Sequence, residues 1–120
     1  MRILLVNKFH YLRGGAERAY FDTAEILRSR GHEVAFFSMQ HLQNESTPWD
    51  RFFVSPVEYS ADGRMGMHAK LRAAARILWN REAERKIGAL MDEFHPDVVH
   101  FHNIYHQLSP SVIFAAAKRG

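Results

Sequence analysis

Arg2–Val6 reads Arg-Ile-Leu-Leu-Val, an apolar run without alternation. A strand buried on both faces has that pattern, which suits an inner strand of a parallel sheet. Asn7 to Gly15 is polar and ends in Gly14-Gly15. Ala16, Ala19/Tyr20, Thr23 and Leu27 then recur at helical spacing, so a helix is predicted from Ala16 to Arg30, with Gly31 as its stop. Glu33–Phe37 returns to strand character. Strand, loop, helix, strand is a βαβ unit, and such units almost always cross over right-handed.

Gln40–Pro48 is loop-like, and Arg51–Ser55 is predicted as a third, short strand. After a loop over Ser60–Gly66, residues 67–94 carry helical spacing. One stripe is Leu71, Ala75 and Leu78, and a later one is Ile87, Leu90/Met91 and Phe94. Trp79-Asn80 marks a bend between two helices, and Pro96 ends the second. Asp97–Phe101 is the next predicted strand, followed by a loop over His102–Ser109. Ser109-Pro110 has the N-cap and first-turn chemistry of a helix start, and that helix is predicted to run to about Arg119. The pattern predicts an α/β fold: one Rossmann-like domain over residues 1–120, an open parallel sheet with helices on both faces.

Composition narrows the chemistry. The 120 residues supply apolar material for one core. There is no cysteine, which excludes a disulfide scaffold, a thiolate zinc site and a cysteine nucleophile. No apolar run approaches the length of a transmembrane helix. The net charge of +3 is uneven: Arg64, Lys70, Arg72, Arg76, Arg81, Arg85 and Lys86 face only Glu82 and Glu84 within one segment. Such a segment suits phosphates, nucleic acid or an anionic membrane surface, or it is simply a solvated helix face. No helix-turn-helix, zinc or RNA-recognition signature accompanies it, and no nucleic-acid partner is expected.

Two motifs carry candidate chemistry. Gly14-Gly15-Ala16-Glu17-Arg18 stands where a strand passes into a helix. Unpaired N–H groups and the dipole make a helix N-terminus attractive to anions, and glycine lets a phosphate approach the backbone. The alternative is that a tight turn needs glycine for its conformation. Neither Gly-x-Gly-x-x-Gly nor a Walker loop is present. His100-Phe101-His102-Asn103 ends a predicted strand, where open α/β sheets place their ligands. Residues two apart on a strand face the same way, so His100 and His102 point together. Adding His106 gives three imidazoles, but no carboxylate follows nearby, and no metal is expected. Substrate contact is the expectation for His102; for His100 a buried structural role stands beside it.

Taken in order, Met1–Val6, Gly14-Gly15-Ala16-Glu17-Arg18, Leu27-x-x-x-Gly31-His32-Glu33-Val34 and Pro96–Asn103 resemble the N-terminal domain of family-4-type retaining glycosyltransferases. The resemblance implies the first half of a GT-B fold, acting as a hexosyltransferase that needs no metal or other cofactor. It implies that Gly14 and Gly15 reach the diphosphate of a nucleotide-sugar donor, and that His102, Asn103 and Tyr105 line the acceptor side of the cleft. No residue here is implied to be catalytic. A donor-binding domain, and a further strand followed by a histidine near the reacting sugar, are expected beyond Gly120, so the chain alone is expected to be inactive. The implied setting is cytoplasmic, with the Arg64–Lys86 segment as a point of peripheral contact at the inner membrane face. The acceptor stays open between lipid carrier, polysaccharide and small molecule. A flavodoxin-like binding or regulatory module without catalysis is the alternative.

Overall fold

The computed structural model describes residues 1–55, 71, 80–102 and 111–119. Strand β1 (Arg2–Val6) lies between β2 (Glu33–Phe37) and β3 (Val98–Phe101) and runs parallel to both. Helix α1 (Gly15–Ser29) joins β1 to β2, and α2 (Arg81–Phe94) and α3 (Ser111–Lys118) flank β3 in sequence. The result is a three-stranded open parallel sheet with helices packed on both faces, as the hydrophobic pattern predicts.

The alternation of side chains along a strand divides the core in two. Leu4, Val6, Ala35 and Phe37 pack with Ala83, Ile87 and Leu90 of α2 and Val112 and Ala115 of α3. Ile3, Leu5, Val34 and Phe36 pack on the other face with Tyr20 and Ala24 of α1 and with Phe53. Leu4 and Leu5 are both fully buried, on opposite faces. Truncating either to alanine removes about 2–5 kcal/mol through lost transfer energy and the cavity left behind.

The helix ends follow from particular residues. Gly31 has φ +85°; its N–H reaches the carbonyl of Arg28 (3.0 Å), and that of His32 reaches Leu27 (3.1 Å). That paired arrangement closes α1 with a left-handed residue, a conformation glycine adopts without steric cost. Asn80 caps α2, its side chain accepting from the Ala83 N–H at 3.0 Å. The Ser111 hydroxyl donates to the Asn80 carbonyl at 2.8 Å, so the starts of α2 and α3 are tied together. At the amino end of β1 the Arg2 guanidinium meets Glu33 (3.0 Å) and the Phe94 carbonyl (3.0 Å), while its N–H donates to Asp97 (2.8 Å).

Some expectations are corrected. The buried side of α1 is Glu17, Tyr20 and Ala24, with Ala16 and Ala19 exposed. An inward-turned Glu17 sets that phase, because Asn7 holds its carboxylate at 3.1 Å. Arg51–Ser55 is not a strand: Asp50–Phe52 form a 3-10 turn, closed by Phe53 N–H to the Asp50 carbonyl at 3.0 Å. Val54 makes a single parallel bridge to Met39, two residues beyond the end of β2. Where a bend between two helices is expected, Asn80 starts α2, in line with that expectation; of the stripe of Leu71, Ala75 and Leu78 only Leu71 lies within the described residues, and it is exposed. Ser109-Pro110 also lies outside them.

His10 is buried among Tyr20, Phe21, Phe36 and Phe53, and its Nδ1 lies 3.0 Å from the Tyr20 hydroxyl. Burial, with the Arg28 guanidinium adding to it, pushes its pKa down to about 4. The unfolded chain therefore takes up a proton between the ordinary value near 6.5 and about 4 that the folded chain refuses. The stabilisation is fully present above pH 6.5 and is lost as pH falls through that window, by about 3 kcal/mol at most. Urea unfolding at pH 7.5 and pH 4.5 is expected to show a smaller loss for His10→Phe than for the native chain. Equal losses would mean that His10 does not carry this linkage.

Candidate functional site

Three of the six buried polar side chains among the described residues, Asn7, His10 and Glu17, follow the carboxyl end of β1. Asn7 follows β1 directly; its N–H continues the ladder to the Phe37 carbonyl at 3.1 Å. Its side-chain amide donates to the Phe9 carbonyl (2.8 Å) and to Glu17 Oε2 (3.1 Å), leaving Oδ1 without a partner among the described residues. One asparagine thus fixes both the loop leaving the strand and the first turn of α1. Glu17, 5% exposed, places a carboxylate on the buried side of that helix start, where the dipole favours it.

Gly14 stands at the N-cap with φ −167°, an extended conformation open to any residue, and no side chain caps the helix. Neither Gly14 nor Gly15 has a positive φ. A Cβ added to Gly14 would meet only Glu17 Oε1 at 3.9 Å, and one added to Gly15 would meet nothing within 4 Å. Conformation and packing among the described residues therefore do not require these glycines. The reading that the turn needs glycine loses its basis, and what remains is bare backbone at a helix N-terminus, approachable from outside.

The intervening loop is aromatic and basic. Lys8 Nζ lies 5.0 Å and the Arg13 guanidinium 4.5 Å from the ring centre of Phe9. Tyr11 meets Phe9 edge-on and stacks on His41 at 4.4 Å. Burial, and Arg13 after it, lower the Lys8 pKa, with Glu17 pulling the other way.

The second motif meets the first through Tyr20. Burial raises the Tyr20 hydroxyl well above its usual range. Its ring lies edge-on to His102 at 5.5 Å, and its hydroxyl bonds His10. His102 N–H donates to the Val6 carbonyl at 2.8 Å, extending the sheet by one rung. The imidazoles of His100 and His102 stack at 4.2 Å, confirming that they point together. Burial, then the nearby His100, lowers the His102 pKa, and its Nε2 is buried without a partner among the described residues. His100 is exposed, so the buried structural role considered for it does not hold: β3 is an edge strand, and no described helix covers its α1-side face. Asn103, Tyr105 and His106 lie outside the described residues. Among those described, no group of three His, Cys, Asp or Glu side chains is placed to hold a metal ion.

Lys8, Arg13, Asn7 and Glu17 were not legible as a group. Each is an ordinary loop or helix residue in sequence; only Glu17, the second residue after the glycine pair, carried a local signal. Of the basic segment, Arg81 and Arg85 are exposed, whereas Lys86 donates to the Phe53 carbonyl at 3.0 Å and lies 4.0 Å from Glu82. Arg72 and Arg76 lie outside the described residues. No helix among the described residues is long and apolar enough to cross a membrane.

The glycines can be separated by stability. Gly31→Ala is expected to cost about 1 kcal/mol or more, because alanine is strained at positive φ. Gly15→Ala is expected to leave stability unchanged or raised by a few tenths of a kcal/mol, roughly the helix preference of alanine at a terminal position. Urea midpoints at pH 7.5 measure both; a Gly15→Ala loss as large as that of Gly31→Ala would return the glycine pair to a conformational role.

The profile of the family described as Glycosyltransferase Family 4 matches residues 13–120. Comparison with curated proteins gives no match. The matched span takes in the glycine pair, the three described α-helices, β2 and β3, the elements that frame the site. The chain belongs to glycosyltransferase family 4.

Proposed function

We propose that this chain is the acceptor-side lobe of a GT-B glycosyltransferase that moves a hexosyl group from a nucleotide-sugar donor to an acceptor with retention of configuration. Family membership supplies glycosyl transfer as the reaction class. The observation that carries the finer reading is the glycine pair: two residues that neither φ nor packing requires, at the exposed start of α1 and at the ligand-binding end of a parallel sheet. Glu17 already occupies the buried side of the helix start, so an anion approaches from the open side of Gly15.

In this reading the glycosidic C–O bond to the donor's diphosphate breaks and negative charge gathers on the leaving diphosphate. Backbone N–H groups at Gly15 and Ala16 stabilise that charge as it develops. The acceptor hydroxyl forms the new C–O bond, and its proton passes to the departing diphosphate. His102 sits on the acceptor side with Asn103 and Tyr105. Its depressed pKa keeps the ring neutral near pH 7, able to exchange a hydrogen bond with an acceptor hydroxyl. A second lobe holds the rest of the donor, so this chain alone binds nucleotide sugar weakly and does not turn it over.

The test is Gly15→Val in an enzyme carrying both lobes. Since the open space at Gly15 leaves the fold unstrained, the thermal midpoint is expected to hold. The β-branched side chain keeps the diphosphate off the backbone, and turnover is expected to fall by about a hundredfold, by analogy with a lost oxyanion donor at about 3 kcal/mol. Donor KM is expected to change far less. A folded variant with near-normal turnover would overturn the assignment.

A further inference from the structure

We infer that Lys8 and Arg13, held together over the ring of Phe9, form a phosphate-recognition site in the loop that leaves β1. The inference goes beyond the glycine-loop reading, because side chains of the preceding loop, and not helix backbone, meet the ligand.

Two cations share one aromatic ring, at 5.0 and 4.5 Å from its centre. Each is attracted to the ring face, but they repel one another. Lys8 registers the crowding: burial first and Arg13 second make its charge harder to keep. Elsewhere Arg2, Arg18, Arg51, Lys86 and Arg119 each have a carboxylate in reach, at Glu33, Asp22, Glu93, Glu82 and Asp92. Lys8 and Arg13, like Arg28 and Arg30, make no ion pair among the described residues, but only they share one ring. The acid that acts on Lys8, Glu17, is committed to Asn7 and turned into the protein.

The ring beneath them is anchored. Phe9 packs against the core shared by α2 and α3, and its carbonyl is taken by the Asn7 amide. Tyr11, braced on His41, closes on the ring edge-on. Arg13 opens onto a surface recess with Tyr11, Leu12 and Gln43. The two like charges are therefore held on an anchored ring, and an anion that reaches both relieves their repulsion. Phosphate suits this pairing better than a carboxylate does. Its oxygens engage the planar fork of arginine and the point charge of lysine together, and its charge approaches two. The shared chemistry is a phosphate ester, reached either as a soluble diphosphate or as a lipid headgroup.

The test measures binding of two probes to the 120-residue chain. Inorganic pyrophosphate is followed by calorimetry, and vesicles of phosphatidylcholine with and without phosphatidic acid by co-sedimentation. The native chain is compared with Lys8→Gln/Arg13→Gln and with Gly15→Val, each checked for an unchanged thermal midpoint. The native chain is expected to bind at least one probe, more weakly at higher salt, and the double substitution to weaken that binding by about tenfold or more. Pyrophosphate binding assigns the soluble source; binding confined to phosphatidic acid vesicles assigns the headgroup. A double variant that binds as the native chain does, or a native chain that binds neither probe, overturns the inference. Gly15→Val reports on the other reading: if it alone abolishes pyrophosphate binding, the glycine-loop site stands and this one falls.

Discussion

The double burial of β1 is the constraint on which the rest depends. Leu4, Leu5, Val6 and Asn7 are each without solvent exposure, and successive side chains enter different cores. A slip of one residue against β2 or β3 would exchange those cores. The register that pairs Val6 with both Phe37 and Phe101 is thereby fixed, and with it the point where the strand becomes loop.

From that point the polar architecture follows. A buried asparagine must spend its hydrogen bonds inside the protein, and Asn7 spends them on Phe9 and Glu17. The first bond fixes the loop that carries Lys8, Phe9 and Arg13; the second sets the phase of α1. Tyr20 then lies between His10 and His102, so the start of α1 and the end of β3 share one packed contact. The chemistry proposed for this end of the sheet belongs to an arrangement that the core imposes.

Much of the fold was legible because its signals are local. The unbroken apolar run of β1, the glycine at position 31 and the stripe of Ile87, Leu90, Met91 and Phe94 each report a buried surface or a backbone conformation that only a few residues satisfy. Arg51–Ser55 misled because Phe52, Phe53 and Val54 look like a strand, while three of the surrounding backbone bonds are those of a tight turn. Tyr20 and Leu27 lie on the predicted face of α1, but Ala16 and Ala19 do not, because a buried glutamate contradicts any hydrophobic template; its partner, Asn7, is ten residues away and joined only by the fold. For the same reason the glycine pair and the histidine pair were visible as motifs, whereas the convergence of Lys8 and Arg13 on Phe9 was not.

The central claim is that the backbone at the start of α1 is left bare so that a diphosphate can approach it. Its most direct test is the backbone amide spectrum of the isotopically labelled chain during titration with a nucleoside diphosphate. Weak binding suffices, since shifts are read per residue. The expected result is that the amides of Gly15 and Ala16 move furthest, with those of Gly31 and Gly88, remote from the site, unmoved. Shifts that spare Gly15 and Ala16 at saturating nucleotide would contradict it.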